Sequence, residues 1–326
     1  SAPRKPRPCD ACSGSNVTSV IAPLALAALA VALAWPVPLL LARASWPARS
    51  PAAALVLWQS IALAGGLSMI GALLTFGLAP FGPDLLTAAT TLVTGGVNRI
   101  ESWNALALCG AALLTAHLLL NLVLTVVRSE RQRRRHEQLL TLLTSPHASG
   151  ARLLDSPAPV AYCLPGALSS ITVVSAGLVE LLSDDELAAV IEHEKAHVTQ
   201  RHDVVLVLFR AWYASLPWFP IAFRAQREVG MLVELLADDT ARRSVPDSVL
   251  ARAIVLVGAG QDRPVVEPGS PEGASVTELG TRLSRLSLSP LPRWAETLVV
   301  ASAVALLAVP TVLLALPVLG GLSSAL

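Results

Sequence analysis

Charged residues are scarce in this chain of 326 residues, at 14% of the total. Soluble domains usually carry about 25% charged residues, so the composition argues against an ordinary soluble enzyme. Hydrophobic residues make up 53% of the chain, which excludes disorder throughout. The net charge of +1 gives no overall field that would point to direct binding of nucleic acid. Four cysteines are too few for a disulfide framework.

Long apolar runs are what the chain does have. A helix needs about 20 apolar residues to cross the hydrocarbon core of a bilayer. Four runs meet this requirement without a lysine, arginine or acidic residue in their interior: residues 17–42, 52–79, 104–127 and 297–319. They predict four transmembrane helices, with residues 17–127 holding the first three and residues 294–326 the fourth. The Pro-rich, basic residues 1–16 are predicted to be a disordered tail.

A fifth apolar run, residues 204–223, is long enough to span but contains Arg210 and two prolines. Arginine at the middle of a bilayer is costly. The run therefore predicts a helix that lies on the membrane interface or dips into it, a level that suits Trp212 and Trp218.

Basic residues near the ends of the predicted spans indicate the orientation. Seven lie on one side, between spans one and two and directly after span three, against four on the other side. Because cytoplasmic flanks carry the excess of Lys and Arg, residues 128–293 are expected in the cytoplasm and the N-terminus outside.

Residues 128–293 hold most of the charge and are long enough for one domain with its own core. Their start, residues 128–143, predicts a basic helix that continues out of the third span. Residues 160–163 and 171–174 are short β-type runs with turn residues between them, which predicts a hairpin or small sheet. The edge of that sheet could accept an extended peptide as an added strand, or could be purely structural.

A helix is predicted to begin at Ser183, because Ser183-Asp184-Asp185-Glu186 fits the capping box. It leads into His193-Glu194-Lys195-Ala196-His197, an H-E-x-x-H motif. Residues four apart share a helix face, so both imidazoles can reach one cation. Zinc lowers the pKa of its water toward about 7, and Glu194 is placed to take the proton as general base. The motif also occurs by chance in unrelated helices, but it predicts one catalytic Zn²⁺ per chain.

A catalytic zinc site needs a third protein ligand. Glu234 is the best candidate, since Glu234-Leu235-Leu236-Ala237-Asp238 reads as E-x-x-x-D on a second helix. Asp238, one turn further on, could accept the free N–H of a ligand histidine and fix its ring. Asp239 and Glu228 are weaker alternatives for the ligand.

His202 is a poorer candidate for the third ligand. It follows His193 by nine residues, which on one continuous helix places the two side chains on opposite faces. We therefore expect His202 to be a surface residue or a support for the site.

These motifs together resemble the membrane-embedded gluzincin peptidases of the BlaR/MecR type (peptidase family M fifty-six), and more distantly the HtpX and CAAX-protease type. The resemblance extends over residues 155–243. It is carried by Pro165-Gly166, Val173-Val174-Ser175-Ala176-Gly177-Leu178, Leu182-Ser183-Asp184-Asp185-Glu186-Leu187, His193-Glu194-Lys195-Ala196-His197, Arg201-His202-Asp203 and Glu234-Leu235-Leu236-Ala237-Asp238-Asp239.

The resemblance implies His193, His197 and Glu234 as zinc ligands and Glu194 as general base. Arg282, in Arg282-Leu283-Ser284-Arg285-Leu286, is similar to a family residue near the end of the domain and would buttress the site. The implied fold is a mainly α integral membrane protein with about four transmembrane helices. An α+β zinc metalloprotease domain is inserted between the third and fourth spans.

The function expected from this resemblance is that of a zinc metalloendopeptidase in signal-triggered, regulated proteolysis, with a transcriptional repressor as one conceivable substrate. The expected partners are a protein or peptide substrate and the lipid bilayer of the bacterial plasma membrane, and a homodimer is left open. No penicillin-binding sensor domain follows the fourth run, so direct β-lactam sensing is not expected. The alternatives are a quality-control protease of the HtpX type and a catalytically silent receptor or scaffold.

Overall fold

The structure, a computed structural model, describes residues 12–82, 85–95, 101–146, 151–164, 171–218, 220–260 and 276–323. Within these ranges, helices dominate and one small sheet is present. Residues 1–11 of the predicted tail lie outside the described residues. The helix α1 (Cys12–Ala34) already begins at Cys12, so the last five residues of that predicted tail are helical.

Four helices in the described ranges are long and apolar enough to cross a membrane: Ile21–Arg43, Pro51–Leu78, Ser102–Leu140 and Arg293–Ala315. They match the four predicted runs and indicate a membrane protein. The run of residues 204–223 is not among them.

The elements of this apolar part follow the sequence closely but not completely. After α1, the chain turns at Trp35 and continues as α2 (Pro36–Arg43), because proline disfavours helical backbone in the residue before it. The second and third runs form α3 (Pro51–Leu78) and α5 (Ser102–Leu143), and between them lies a short apolar helix that was not predicted, α4 (Leu85–Gly95). The helix α5 continues past residue 127, as predicted for the basic helix.

Residues 12–41, 56–119 and 298–323 form one compact unit. Small residues allow close packing in it: a Cβ added to Gly71 would meet Leu314 and Leu26 at 3.1–3.3 Å. The amide of Asn104 donates a hydrogen bond to the carbonyl oxygen of Phe76 at 2.8 Å, which satisfies a polar side chain within an apolar surrounding.

The second compact unit comprises residues 42–55 and 120–297. It is larger than the predicted domain of residues 128–293, because the segment between α2 and α3 joins it. In this segment a short 3-10 helix (Trp46–Arg49) brings Arg49 Nε to the carbonyl oxygen of Ser289 at 3.1 Å. The next residue, Ser50, donates from its hydroxyl to Glu296 Oε1 at 2.6 Å.

The sheet of the second unit has four strands in the order β1-β2-β4-β3: β1 (Thr144–Pro146), β2 (Arg152–Leu154), β3 (Ala161–Leu164) and β4 (Ile171–Ser175). β3 and β4 are antiparallel, which confirms the predicted pairing. β2 and β4 are parallel, and β1 and β2 were not predicted. β3 forms one edge of the sheet.

Six helices follow the sheet within this unit: α6 (Ala176–Leu181), α7 (Asp184–Thr199), α8 (His202–Ser215), α9 (Pro220–Ala241), α10 (Asp247–Gly260) and α11 (Val276–Ser287). The last helix of the chain is α12 (Arg293–Ser323). One buried cluster joins β4 to the starts of α6 and α7 through Val174, Leu178 and Leu187. A second cluster packs α7 against α9 and α10 through Ala189, Ala241 and Leu250. Burial of these apolar side chains holds α7 and α9 side by side.

Candidate metal centre

The helix that carries the H-E-x-x-H motif has a well-defined start. The backbone N–H of Ser183 donates to Glu186 Oε2 at 2.9 Å, and the predicted capping box is present. Three acidic residues occupy the first turn, where they favour the positive end of the helix dipole. From this start, α7 turns the two histidines of the motif toward α9.

The ring nitrogens of the two histidines converge with a carboxylate of α9. His193 Nε2 and His197 Nε2 are 3.2 Å apart. Glu234 Oε2 lies 3.3 Å from His193 Nε2, and Glu234 Oε1 lies 3.7 Å from His197 Nε2. His193 is 7% exposed, and the Glu234 side chain is 38% exposed. This cluster is therefore anchored in the protein on the α7 side and reachable from solvent at the carboxylate.

These three side chains fit a zinc ion. Zinc bonds to imidazole nitrogen and carboxylate oxygen at about 2.0–2.2 Å, so neighbouring ligand atoms of a tetrahedral site are about 3.3–3.5 Å apart. The observed separations of 3.2, 3.3 and 3.7 Å are close to these values. Two neutral nitrogens and one carboxylate are also the donor set that catalytic zinc sites commonly use.

Asp238 lies behind His193, one helical turn after Glu234. Its Oδ1 is 2.8 Å from His193 Nδ1, and only 1% of the aspartate is exposed. An N–H at Nδ1 donated to this carboxylate leaves the lone pair of Nε2 facing His197 and Glu234. This contact is the arrangement expected from the spacing, and the role of Asp238 as a support for a ligand histidine stays a prediction.

Arg282 on α11 completes this side of the cluster. It donates from Nε to Asp238 Oδ2 at 2.8 Å and from Nη2 to Asp238 Oδ1 at 2.7 Å. Its Nη1 lies 3.5 Å from Glu234 Oε2. The guanidinium therefore contacts both carboxylates that face His193, in the position expected of a buttress.

The charges of this group are coupled. Burial would lower the pKa of His193, but its hydrogen bonds to Asp238 and Glu234 outweigh burial and raise it to about 9. Burial would raise the pKa values of Glu234 and Asp238, but His193 and Arg282 lower both below their usual range. Both carboxylates are thus ionised at neutral pH, and a cation bound at His193 Nε2 would displace a proton.

Glu194 differs from its neighbours. Burial raises the pKa of its carboxyl to about 7, and the positive charges of His193 and Arg282 offset this only in part. Burial also lowers the pKa of His197 to about 4, so this imidazole is neutral and able to act as a ligand at physiological pH. The motif therefore combines a neutral imidazole with a carboxyl group poised between its two protonation states.

The structure places His202 differently from the helical-wheel expectation. α7 ends at Thr199, Arg201 adopts a left-handed conformation with φ of 51°, and α8 begins at His202. The helix is thus interrupted between the two histidines, and His202 Nδ1 lies 3.1 Å from His197 Nδ1. His202 is 2% exposed, so it is neither on the opposite face nor at the surface. The expectation of a continuous helix was wrong at this point.

Neither of the weaker ligand alternatives belongs to the group of described residues that could hold the metal. Asp239 accepts a hydrogen bond from Arg285 Nη2 at 3.0 Å and lies 3.7 Å from Arg242 Nη1. Among the described His, Cys, Asp and Glu residues, the group that could hold a metal ion consists of His193, His197 and Glu234, without Asp239 or Glu228.

Two residues near the cluster were missed by the sequence analysis. Gln200 Oε1 lies 3.0 Å from His202 Nε2, and Gln200 Nε2 donates to Thr240 Oγ1 on α9 at 2.7 Å. Both are ordinary polar residues 40 positions apart, so no spacing or composition signal connects them.

Comparison with known proteins agrees with this geometry. The model of the family described as Peptidase family M48 matches residues 128–239, which include the sheet, α7, α8 and α9 as far as Asp239. The match supports a zinc metallopeptidase family, and the four apolar helices of spanning length indicate a membrane protein. It does not confirm the BlaR/MecR type specifically. No curated protein and no solved structure matches the chain.

Proposed function

We propose that the chain is a membrane-bound zinc metalloendopeptidase that hydrolyses peptide bonds with a single zinc ion per chain. The observation that carries the proposal is the convergence of His193 Nε2, His197 Nε2 and the Glu234 carboxylate within 3.2–3.7 Å. The match of residues 128–239 to a peptidase family also supports it.

In this proposal, His193, His197 and Glu234 hold the zinc ion. When bound, zinc supplies Lewis-acid chemistry, which makes a water molecule acidic and polarises the peptide carbonyl. Asp238 and Arg282 keep the His193 ring turned so that Nε2 faces the ion, through the contacts of 2.8 Å and 2.7 Å described above.

Glu194 is the proposed general base. As a carboxylate it accepts a proton from the attacking water, and it then donates this proton to the amide nitrogen as the C–N bond breaks. A pKa raised by burial to about 7 suits both steps, because the group can gain and lose a proton near neutral pH. Overall, one water molecule is added across one peptide bond.

The substrate in this proposal is a protein or peptide in extended conformation. β3 pairs with β4 on one side only, and it packs against α7, the helix of the motif. An extended segment added to this edge would form main-chain hydrogen bonds that do not depend on its sequence. Its scissile bond could then be presented beside α7.

The membrane part of the proposal rests on four apolar helices of spanning length. We place the protease domain on the cytoplasmic side of a bacterial plasma membrane and the N-terminus outside, because arginines follow the third span closely. Protease protection in vesicles of known orientation checks this: cleavage within residues 128–293 should require access to the cytoplasmic face.

Two biological uses are compatible with such an enzyme. The family that matches includes HtpX, which is compatible with quality control of membrane proteins. Signal-triggered cleavage of a regulator such as a repressor rests on the resemblance to the BlaR/MecR type alone. Proteins that accumulate in cells carrying Glu194→Gln, but not in wild-type cells, would separate the two uses.

The decisive test uses the full chain purified in detergent. We expect about one zinc per wild-type chain, loss of zinc in His193→Ala, and retained zinc without peptide cleavage in Glu194→Gln. Glu192→Gln is the matched control, because Glu192 lies on the same helix but pairs with Lys195 at 2.8 Å. Cleavage retained in Glu194→Gln would refute the mechanism. Zinc without cleavage of any peptide by the wild type would favour a silent receptor.

A further inference from the structure

We propose that His202 is a positioning residue for the zinc ligand His197. It is the first member of a hydrogen-bond chain that runs to α9 and determines which nitrogen of His197 faces the metal. The inference rests on the proposed function, since it concerns how the same site is built.

The two nitrogens of His197 have different surroundings. Nε2 faces the cluster, at 3.2 Å from His193 Nε2. Nδ1 faces away from it, at 3.1 Å from His202 Nδ1, and the two rings meet edge to face with centroids 4.9 Å apart. His202 is buried, and its ring is held by protein contacts. These positions make His202 the partner of the His197 nitrogen that is not available to the metal.

The direction of each hydrogen bond in this series follows from its last member, Thr240. The hydroxyl of Thr240 donates to the carbonyl oxygen of Leu236 at 3.0 Å, and a carbonyl can only accept. Thr240 Oγ1 therefore accepts from Gln200 Nε2, at 2.7 Å. The oxygen of the Gln200 amide is then the atom that faces His202, at 3.0 Å from Nε2.

If both imidazole rings are neutral, only one assignment of the protons on His202 and His197 is possible. His202 Nε2–H donates to Gln200 Oε1, so His202 Nδ1 carries a lone pair. His197 must then donate from Nδ1–H to His202 Nδ1, which leaves the lone pair of His197 on Nε2. This is the tautomer that a metal bound between His193, His197 and Glu234 requires.

The backbone explains how His202 reaches this position. Arg201 adopts the left-handed conformation between α7 and α8, and with this break the first residue of α8 contacts His197 near the end of α7. Non-glycine residues adopt this conformation rarely and at a cost, and such sites often accompany function.

The two histidine ligands are thus supported in different ways. His193 is held by a carboxylate, Asp238, and His197 by an imidazole, His202. Both supports connect to α9, which also carries Glu234, so the chain through Gln200 and Thr240 is a second link between the ligand helices. Loss of such outer partners typically reduces metal affinity by about 10–100-fold.

The test compares His202→Leu with His202→Asn in the full chain in detergent. Leucine fills the buried space without an acceptor, whereas the asparagine oxygen can occupy the position of Nδ1 and accept from His197. Zinc affinity is measured by competition with a chromophoric chelator, and ligand geometry by the absorption spectrum of the cobalt-substituted protein. We expect an affinity about 10–100-fold lower for His202→Leu, with a changed cobalt spectrum, and substantial recovery for His202→Asn.

Thr240→Val is the second variant, because it removes the terminal hydroxyl without touching either histidine. It should lower zinc affinity by a smaller factor, with circular dichroism unchanged, and it carries the test if His202→Leu does not fold. Wild-type affinity in both His202→Leu and Thr240→Val, or in Thr240→Val alone where His202→Leu does not fold, would overturn the inference. Absence of zinc binding by the wild type would instead overturn the proposed function.

Discussion

Arg282 and Asp238, 44 residues apart in the chain, form a two-pronged hydrogen-bonded pair with N–O distances of 2.8 and 2.7 Å. The oxygen of Asp238 that accepts from Arg282 Nη2 also lies 2.8 Å from His193 Nδ1. One carboxylate oxygen thus joins α11 to α7 through α9. This relationship makes the orientation of a proposed zinc ligand depend on a residue of another helix.

Substitution of Arg282 should therefore affect both stability and metal binding. Arg282→Ala leaves the buried carboxylate of Asp238 without its guanidinium partner, which should cost about 3–5 kcal/mol of unfolding free energy. Arg282→Lys keeps a charge but loses the fork, so we expect a smaller loss of stability and about tenfold weaker zinc binding. Denaturant unfolding and chelator competition measure the two effects.

Arg227→Ala is the control for this prediction, because Arg227 is more than half exposed and lies 3.8 Å from Glu278. A pair of this kind contributes little to stability. If Arg282→Ala matched Arg227→Ala in both measurements, the contacts of Arg282 with the cluster would contribute nothing measurable to stability or zinc affinity.

Glu186 should make the stability of the second compact unit depend on pH in the acid range. The backbone N–H of Ser183 lowers the pKa of the Glu186 carboxyl. A carboxyl whose folded pKa is below its unfolded value stabilises the fold above the unfolded value, about 4.3, and loses this effect as pH falls through the folded value. We therefore expect wild type to exceed Glu186→Gln in stability at pH 7, with a difference that shrinks below about pH 4.

Unfolding of the two proteins at a series of pH values provides the measurement. Glu192→Gln serves for comparison, since Glu192 is further along the same helix and outside the capping box. A constant difference between wild type and Glu186→Gln from pH 7 to pH 3 would contradict the assigned role of the carboxylate.

The left-handed residue Arg201 gives a prediction about the backbone. Glycine adopts φ near 51° without the steric cost that other residues bear, about 1–2 kcal/mol, although it loses more entropy on folding. Arg201→Gly should therefore be within about 1 kcal/mol of wild type and should bind zinc normally. Arg201→Val should destabilise by about 1–3 kcal/mol, because a β-branched residue fits this region worst.

Arg201→Val should also weaken zinc binding, because the left-handed conformation of residue 201 places His202 against His197. Thermal unfolding and chelator competition check both variants. Normal zinc affinity in Arg201→Val, together with lower stability, would show that zinc binding does not depend on the backbone conformation of residue 201.

Spacing within single helices carried much of the candidate site. The four-residue interval between His193 and His197, and the same interval between Glu234 and Asp238, place each pair on one helix face whatever the rest of the fold is. The proximity of α7 and α9 was inferred from the chemistry of these residues, and the structure brings them together. Local periodicity and donor chemistry are therefore the part of this fold that a sequence can reveal.

Features that depend on tertiary structure were missed or misplaced. The residues around Arg201 include no glycine or proline, so no sequence signal predicted the helix break at Arg201 that accompanies the contact of His202 with His197. β1 and β2 have three residues each, too few for a periodic pattern, and they exist because β4 offers β2 a neighbour. Residues 42–55 belong to the second compact unit through side-chain contacts to residues about 240 positions away, which no local sequence pattern could predict.

Gly177 and Gly230 are two helical glycines whose substitution by alanine should change stability in opposite directions. A Cβ at Gly177 would overlap the carbonyl oxygen of Pro157, and the Gly177 N–H donates to Ser156 O at 2.9 Å. Because backbone cannot yield as a side-chain end can, Gly177→Ala should destabilise by about 1–3 kcal/mol. Gly230 lies within α9 with no atom close to its added Cβ, so Gly230→Ala should stabilise by about 0.5–1 kcal/mol. Denaturant unfolding of both variants is the measurement: a stabilised Gly177→Ala would mean that helix propensity, and not the contact with Pro157, governs Gly177.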